Sequence, residues 1–252
     1  MDRNPLFSIR RISKIFPSGH AALSGVDMEI EAGLCLVIAG ANGSGKTVLM
    51  KIITGLADAS SGEVFFEGVP LDRAVKSLRQ SVGLVFQDAD TQIIGETVAE
   101  DTALGPKNLK LPKNTVDERV SGAIKAAGLE GKADFPARSL SGGEKRRLAV
   151  AGILAMGCQT IIMDEPFANL DWPGVRSVLQ IVAELKRDGK TVIILTHELE
   201  KTLAFADRLV IICGGRVVRD GEPEAVLDGL KPEYGVRDPR CVYRTVKDCS
   251  WL

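Results

Sequence analysis

The stretch that most constrains this chain is Gly40-Ala-Asn42-Gly43-Ser44-Gly45-Lys46-Thr47. It follows the apolar run Leu34–Ala39 and precedes a helical pattern over Val48–Gly55, so it occupies a strand-to-helix turn. The glycines let successive backbone N–H groups point inward, and a helix opening at the loop adds the positive end of its dipole. Such a cradle suits phosphate oxygens. Lys46 adds a charge for the β- and γ-phosphates of a nucleotide, and the Thr47 hydroxyl can ligate Mg²⁺. At this chain's Gly, Lys, Ser and Thr frequencies the four fixed positions coincide by chance about 0.015 times per sequence, so chance is set aside. The expected nucleotide-binding residues are Gly40, Asn42, Gly43, Ser44, Gly45, Lys46, Thr47 and Val48.

Around this loop the chain reads as α/β. Four apolar runs, Leu34–Ala39, Thr160–Met163, Thr191–Thr196 and Arg208–Cys213, alternate with helical patterns. That is the layout of a mostly parallel sheet covered on both faces. Asp171 is placed to cap a helix through Val175–Lys186, with Pro173 in its first turn and Gly189 beyond its end. Phe7–Ile15, Val26–Ile30 and Val64–Glu67 alternate more loosely and predict an N-terminal antiparallel β region. From about Asp88 to Leu140 no strand run occurs, and Thr115-Val-Asp-Glu118 has the spacing of a capping box for a helix closing near Gly128. A helical insert is expected there. These features predict a P-loop NTPase core as one domain over residues 1–230, with a tail, 231–252, that carries no readable pattern.

Composition narrows the function classes. Lys+Arg number 32 and Asp+Glu 33, a net charge of −1 that argues against a protein coating nucleic acid. The apolar runs fall short of the roughly 20 residues that span a bilayer. Five cysteines (Cys35, Cys158, Cys213, Cys241, Cys249) are widely spaced, with no C-x-x-C pair. Cys35 and Cys213 lie in apolar runs and are expected to be buried, and a reducing, cytoplasmic setting follows.

A second motif adds chemistry. Thr160-Ile-Ile-Met-Asp164-Glu165-Pro166 puts two acids at the end of a buried strand, where ligands bind in open α/β sheets. Asp164 is placed to hold Mg²⁺ directly or through water, and Glu165 to orient and polarise an attacking water. A solvated strand end is the plainer reading of an isolated Asp-Glu, but the phosphate loop weighs against it.

Leu140-Ser-Gly-Gly-Glu144-Lys-Arg-Arg-Leu148 settles the class. Ser141 and Glu144 have capping-box spacing, so Ser141–Gly143 can open a helix with free N–H groups and no bulky side chains, a second anion site. Together with the two features above, this run resembles the signature motif of ABC ATPases, and the resemblance extends over roughly Leu6–Leu227. It implies that Ser141, Gly142, Gly143 and Glu144 cover the ATP held by a second ATPase subunit, in a homo- or heterodimer. It implies further that Gln87, in Val-Phe-Gln-Asp, is the Q-loop glutamine that touches Mg²⁺ or water. His197, in Leu-Thr-His-Glu, resembles the switch histidine that contacts the γ-phosphate. Asn169-Leu-Asp171 resembles the D-loop that crosses the dimer interface. Phe16, 24 positions before Gly40, stands where the family commonly stacks an aromatic ring on adenine. The catalytic set is then Glu165, His197 and Gln87, and the metal set Thr47, Gln87 and Asp164. Trp172, Val48 and Glu144 depart from the commoner Pro, Ser or Thr, and Gln.

Gln87-Asp-Ala-Asp90-Thr-Gln92 and Glu96-Thr-Val-Ala-Glu-Asp101-Thr-Ala-Leu-Gly-Pro106-Lys-Asn108 look like the energy-coupling-factor subfamily, although Ala89 stands where that pattern has Pro. Membership implies an ATP-hydrolysing subunit of a vitamin or transition-metal importer, peripheral on the cytoplasmic face of the membrane. Its partners would be a transmembrane coupling subunit and a substrate-binding membrane subunit, with no nucleic acid. Ser81–Gly105 carries five acids and no Lys or Arg, an acidic stretch expected to dock a basic partner helix. The alternatives are the ATPase of another importer and a non-transport ABC ATPase acting on nucleic acid or ribosomes. The 52 residues between Gln87 and Leu140 lack sustained heptads, and a single cassette is present, which disfavours the latter. A binding module without turnover is disfavoured by the presence of both Glu165 and His197.

Overall fold

The phosphate loop joins a strand whose five residues are all buried to a helix that starts on Lys46, and the fold is built around that junction. The structure, a computed structural model, describes residues 5–241. From the N-terminus, β1 (Phe7–Ile15) and β2 (Ala21–Ile30) pair antiparallel and lead into β3 (Cys35–Ala39), the phosphate loop and α1 (Lys46–Ile53). β4 (Ser61–Phe66) and β5 (Val69–Pro70) complete an antiparallel sheet in the order β2-β1-β4-β5. Next come α2 (Leu71–Ser81), β6 (Val82–Val85) and three helices, α3 (Val98–Asn108), α4 (Lys113–Ala126) and α5 (Gly142–Met156). The chain then alternates through β7 (Thr160–Asp164), α6 (Trp172–Arg187), β8 (Thr191–Thr196), β9 (Arg208–Cys213), β10 (Arg216–Gly221) and α7 (Pro223–Asp228).

The second sheet has the order β10-β9-β3-β8-β7-β6, parallel throughout except for β10 at one edge. Its period-2 alternation divides the core. Cys35, Val37 and Ala39 face a cluster with α5 and α6, whereas Leu36 and Ile38 face the antiparallel sheet and α1. Burial on both faces explains why these strands read as continuous apolar runs. A third cluster (Val98, Ala123, Ile124, Leu140, Leu148 and Ala151 among its members) holds α3, α4 and α5 together.

The α/β layout, the antiparallel N-terminal region and the helices between the two halves agree with expectation. The capping box at Thr115 does not. α4 begins two residues earlier at Lys113, behind Pro112, so Thr115 lies inside the first turn. The helical group also extends past residue 140, because α5 supplies much of its core. Cys213 is only half-buried, while Cys35 and Cys158 are buried. Cys249 lies outside the described residues. α2, β6 and β10 were not signalled by the four apolar runs. In β6, Gly83 breaks the run because α5 packs directly on its backbone: a Cβ there would lie 2.0 Å from Ile153 Cγ2.

The start of the tail is ordered against the core. Val236 is buried in the cluster shared with α5 and α6, Tyr234 packs against that cluster, and Gly235 turns at φ +67° next to Ala41 of the phosphate loop.

Gly83→Ala should therefore overpack the β6–α5 contact and destabilise the protein by about 1–3 kcal/mol. Adding Ile153→Ala should recover part of that loss in a denaturant titration, because the clashing methyl is gone. Strictly additive losses would show that the close approach is not the cause.

Candidate functional site

Three strands of the parallel sheet deliver the site at their carboxyl ends. In-register pairing sets Ala39 beside Thr196 and Asp164 beside Leu195, so the turns after β3, β7 and β8 meet. Gly40 is required by crowding, since a Cβ there would lie 2.3 Å from the Ile212 carbonyl oxygen. Gly45 adopts φ +108° as the residue before α1, and a side chain would strike Ala22 and Leu23 of β2.

Lys46 is buried and its ammonium lies inside the loop, donating to the carbonyls of Gly40 (2.7 Å) and Ala41 (3.1 Å). Burial pushes its pKa down, opposed by the nearby Glu165 and Asp164. Thr47 Oγ1 donates to Asp164 Oδ2 at 2.9 Å, joining the helix start to the end of β7.

Glu165 is buried and held in the left-handed region at φ +47°, which is strained for a residue with a side chain. Its own N–H donates to the Leu195 carbonyl, which fixes the turn. Thr196 Oγ1 donates to Glu165 Oε2 at 3.3 Å, and His197 Nδ1 lies 3.0 Å from Oε1. Lys46 Nζ is 3.8 Å from the same Oε1. The carboxylate is thus oriented from three sides. Thr196 was not signalled by sequence, although a hydroxyl one position before a strand-end histidine is the pattern that marks it.

A cleft of about 360 Å³ joins Phe16, His20, Asn42–Val48, Gln87 and Glu165. Phe16 and His20 lie with parallel rings, centroids 6.4 Å apart, at its mouth. His20 is a further residue that composition did not distinguish. Ser141–Glu144 do not line this cleft. They open α5, where the capping box forms in both directions between Ser141 and Glu144. Lys132 bonds Glu144 as well and, ahead of the Ser141 bonds, holds its carboxyl down to about 2. Gly142 lines a neighbouring cavity with Gln87, Lys145 and Asn169. Asp171 caps α6 by accepting from Gly174 N–H at 3.0 Å, and Asn169 turns at φ +58°.

The acidic stretch is not a uniform face. Asp101 is buried and accepts from the N–H groups of Ile94 and Gly95, Glu100 completes a capping box with Thr97, and Asp90 pairs with Lys145. Asp88 and Glu96 are exposed.

The donors at the end of β7 suit Mg²⁺. Asp164 Oδ1 is buried without a hydrogen-bond partner among the described residues, and Thr47 beside it adds a second hard oxygen. Burial raises the Asp164 carboxyl above its ordinary value, partly offset by the Thr47 bond.

Residues 23–168 match the ABC transporter family. The chain belongs to the ABC transporter ATPases. An energy-coupling factor transporter ATP-binding protein, EcfA, of Methanocaldococcus jannaschii is 40% identical over 90% of this chain and 84% of its own. EcfA3 of Clostridium perfringens is 35% identical over 88% of this chain and 79% of its own. Among solved structures, cbiO1 from Clostridium perfringens superposes with TM-score 0.81 at 34% identity, covering 91% of this chain and 92% of that one. A dimeric ATP-binding cassette bound to ADP and Pi gives TM-score 0.76 at 28% identity, covering 86% and 98%. As an ABC ATPase the chain binds and hydrolyses ATP. No helix among the described residues is long and apolar enough to cross a membrane.

Because the Asp164 pKa is raised on folding, the folded protein holds that proton more tightly than the unfolded chain. The nucleotide-free ABC ATPase should lose stability as pH rises through that raised value. Asp164→Asn should flatten this decline and raise the neutral-pH melting temperature, by roughly 2–4 °C for each kcal/mol recovered. The same variant should lose the added stabilisation that Mg²⁺ gives with ATP. Calorimetry with and without MgATP reads both effects, and an unchanged Mg²⁺ response would remove Asp164 from the metal set.

Proposed function

We propose that this ABC ATPase is the ATP-hydrolysing subunit of an energy-coupling-factor importer for a vitamin or a transition-metal ion. It would act at the cytoplasmic face of the membrane. Support comes from the EcfA relatives and from the cbiO1 neighbour, described as part of the ABC transporter complex cbiONQ. In this reading it pairs with a second ATPase subunit, a transmembrane coupling subunit and a substrate-binding membrane subunit.

The observation that carries the chemistry is the contact of one buried carboxylate, Glu165, with Lys46, Thr196 and His197 beside the phosphate loop. The backbone N–H groups of the loop and Lys46 bind and orient the phosphates, and Lys46 exchanges its bonds to Gly40 and Ala41 for phosphate oxygens. Glu165 accepts the proton of the attacking water, and Thr196 and His197 hold it in line. Thr47, Asp164 and Gln87 would hold Mg²⁺. When bound, Mg²⁺ supplies positive charge against the developing charge on the phosphoryl oxygens. Phe16 offers an exposed ring for the base. Ser141–Glu144 and Asn169–Asp171 would face the partner's nucleotide and the dimer seam, since the signature residues lie away from the chain's own phosphate cleft.

Glu165→Gln should lower hydrolysis roughly 10²–10⁴-fold while ATP still binds and traps a dimer visible by size exclusion. Near-normal turnover would exclude Glu165 as the base.

Ser141→Arg should block dimer closure and turnover yet leave nucleotide affinity of the monomer near normal, whereas Lys46→Ala should weaken that affinity directly. A mixed dimer with one change in each chain should confine both lesions to one composite site and retain the other. Loss of both sites in the mixed dimer, or equal loss of monomer affinity in the two single variants, would contradict the composite arrangement.

A further inference from the structure

Arg146 is the one residue in α5 whose charge is buried, and nothing in the proposed chemistry uses it. It lies in the turn after the signature residues. Its guanidinium donates to the backbone carbonyls of Gln87 (2.6 Å), Pro166 (3.1 Å) and Ala168. These acceptors come from separate places in the sequence, the loop after β6 and the segment that follows Glu165 into the D-loop. Burial penalises the charge, and the carboxylates of Asp88 and Glu165 offset that penalty. Next to it, Lys145 of α5 pairs with Asp90, tying the same helix to the same loop a second time.

We propose that Arg146 is a positioning residue that links the chain's own phosphate cleft to the signature it presents to the partner, through Gln87 on one side and the Glu165–Ala168 turn on the other. The inference rests on the composite-site reading above. The guanidinium is planar and presents five donors in a fixed fork. Movement of Gln87 or of the Pro166–Ala168 turn must either break a charge-assisted bond in a buried setting or carry α5 with it. Breaking is costly because the buried charge would lose its partners. Carrying α5 moves Ser141–Glu144, which open that helix. The backbone acceptors make the link independent of the side chains at 166 and 168. Lysine can replace the charge but not the three-way fork.

The test uses the full chain in MgATP titrations of hydrolysis, with Arg146→Lys and Arg146→Gln, and ATP affinity measured separately at protein concentrations where the chain is monomeric. Monomer ATP affinity should stay within about threefold of the parent, while the maximal rate falls roughly tenfold to a hundredfold through misplacement of the reacting groups. The Hill coefficient of hydrolysis should drop towards about 1, because each site no longer reports to the other. Arg146→Lys should restore part of the rate but little of the cooperativity. Melting curves in the same buffers fix the folded fraction. If Arg146→Gln does not fold, Arg146→Lys alone carries the test through its split between rate and cooperativity. Unchanged rate and Hill coefficient in a folded variant would overturn the proposal, as would a rate loss equal to the unfolded fraction. If the mixed dimer of Ser141→Arg and Lys46→Ala loses both sites, the composite reading itself has failed. If that dimer retains one site and the Arg146 variants behave as the parent, only the coupling role is lost.

Discussion

The register of three parallel strands is the constraint on which the site depends. β3, β8 and β7 pair without a slip, so Ala39 ends level with Thr196, and Asp164 one residue short of it beside Leu195. A slip of one residue in any of them would turn its alternating side chains to the opposite face. Both faces of this sheet are buried, one against α5 and α6 and one against α1 and the antiparallel sheet, so each register error would exchange residues between two closed cores. The packing of the interior therefore fixes the separation between Lys46, Asp164 and Glu165 before any of them contributes a contact of its own.

Such a site concentrates charge where charge is costly. Lys46, Asp164 and Glu165 are all buried, and the Asp164 oxygen facing away from Thr47 has no hydrogen-bond partner among the described residues. Glu165 adds backbone strain to electrostatic cost. Each cost is tolerated because the surrounding β-strands supply backbone bonds that do not depend on it, such as the pairing of Glu165 N–H with Leu195. Ligands that neutralise these groups gain what the unliganded protein forgoes, which is how a site of this kind couples binding energy to closure.

Much of this was legible in the sequence because the physical signals were local. The phosphate loop, the acids ending β7, the Ser141–Glu144 capping box and the Asp171 cap each require particular residues at fixed short spacing. The central strands were legible because double-sided burial leaves continuous apolar runs. What escaped was set by distant contacts. Gly83 looks like a strand breaker until α5 is seen resting on it. Thr115 has the chemistry of a cap, but the helix already starts at Lys113, behind Pro112, whose ring fixes the backbone ahead of it. The acids between Asp88 and Asp101 look alike in sequence, yet one is buried under backbone N–H groups, one caps a helix and one pairs with Lys145. Local pattern names the groups; only the tertiary contacts tell which of them reach solvent.

Gly45 and Gly215 both press their backbones against Ala22 of β2, at distances no side chain could enter. Gly215 also bonds the chain on both sides, accepting from Ser24 N–H at 2.9 Å and donating to the Ser44 carbonyl at 3.1 Å. The hairpin carrying Phe16 and His20 is thereby riveted to the phosphate loop through main-chain atoms alone. The span from that ring pair to the cradle is therefore a gauge set by main-chain contacts, which a side chain at either glycine would force apart. Changes to the rings at one end or to the charges at the other would leave that distance, and so the reach between them, to the backbone.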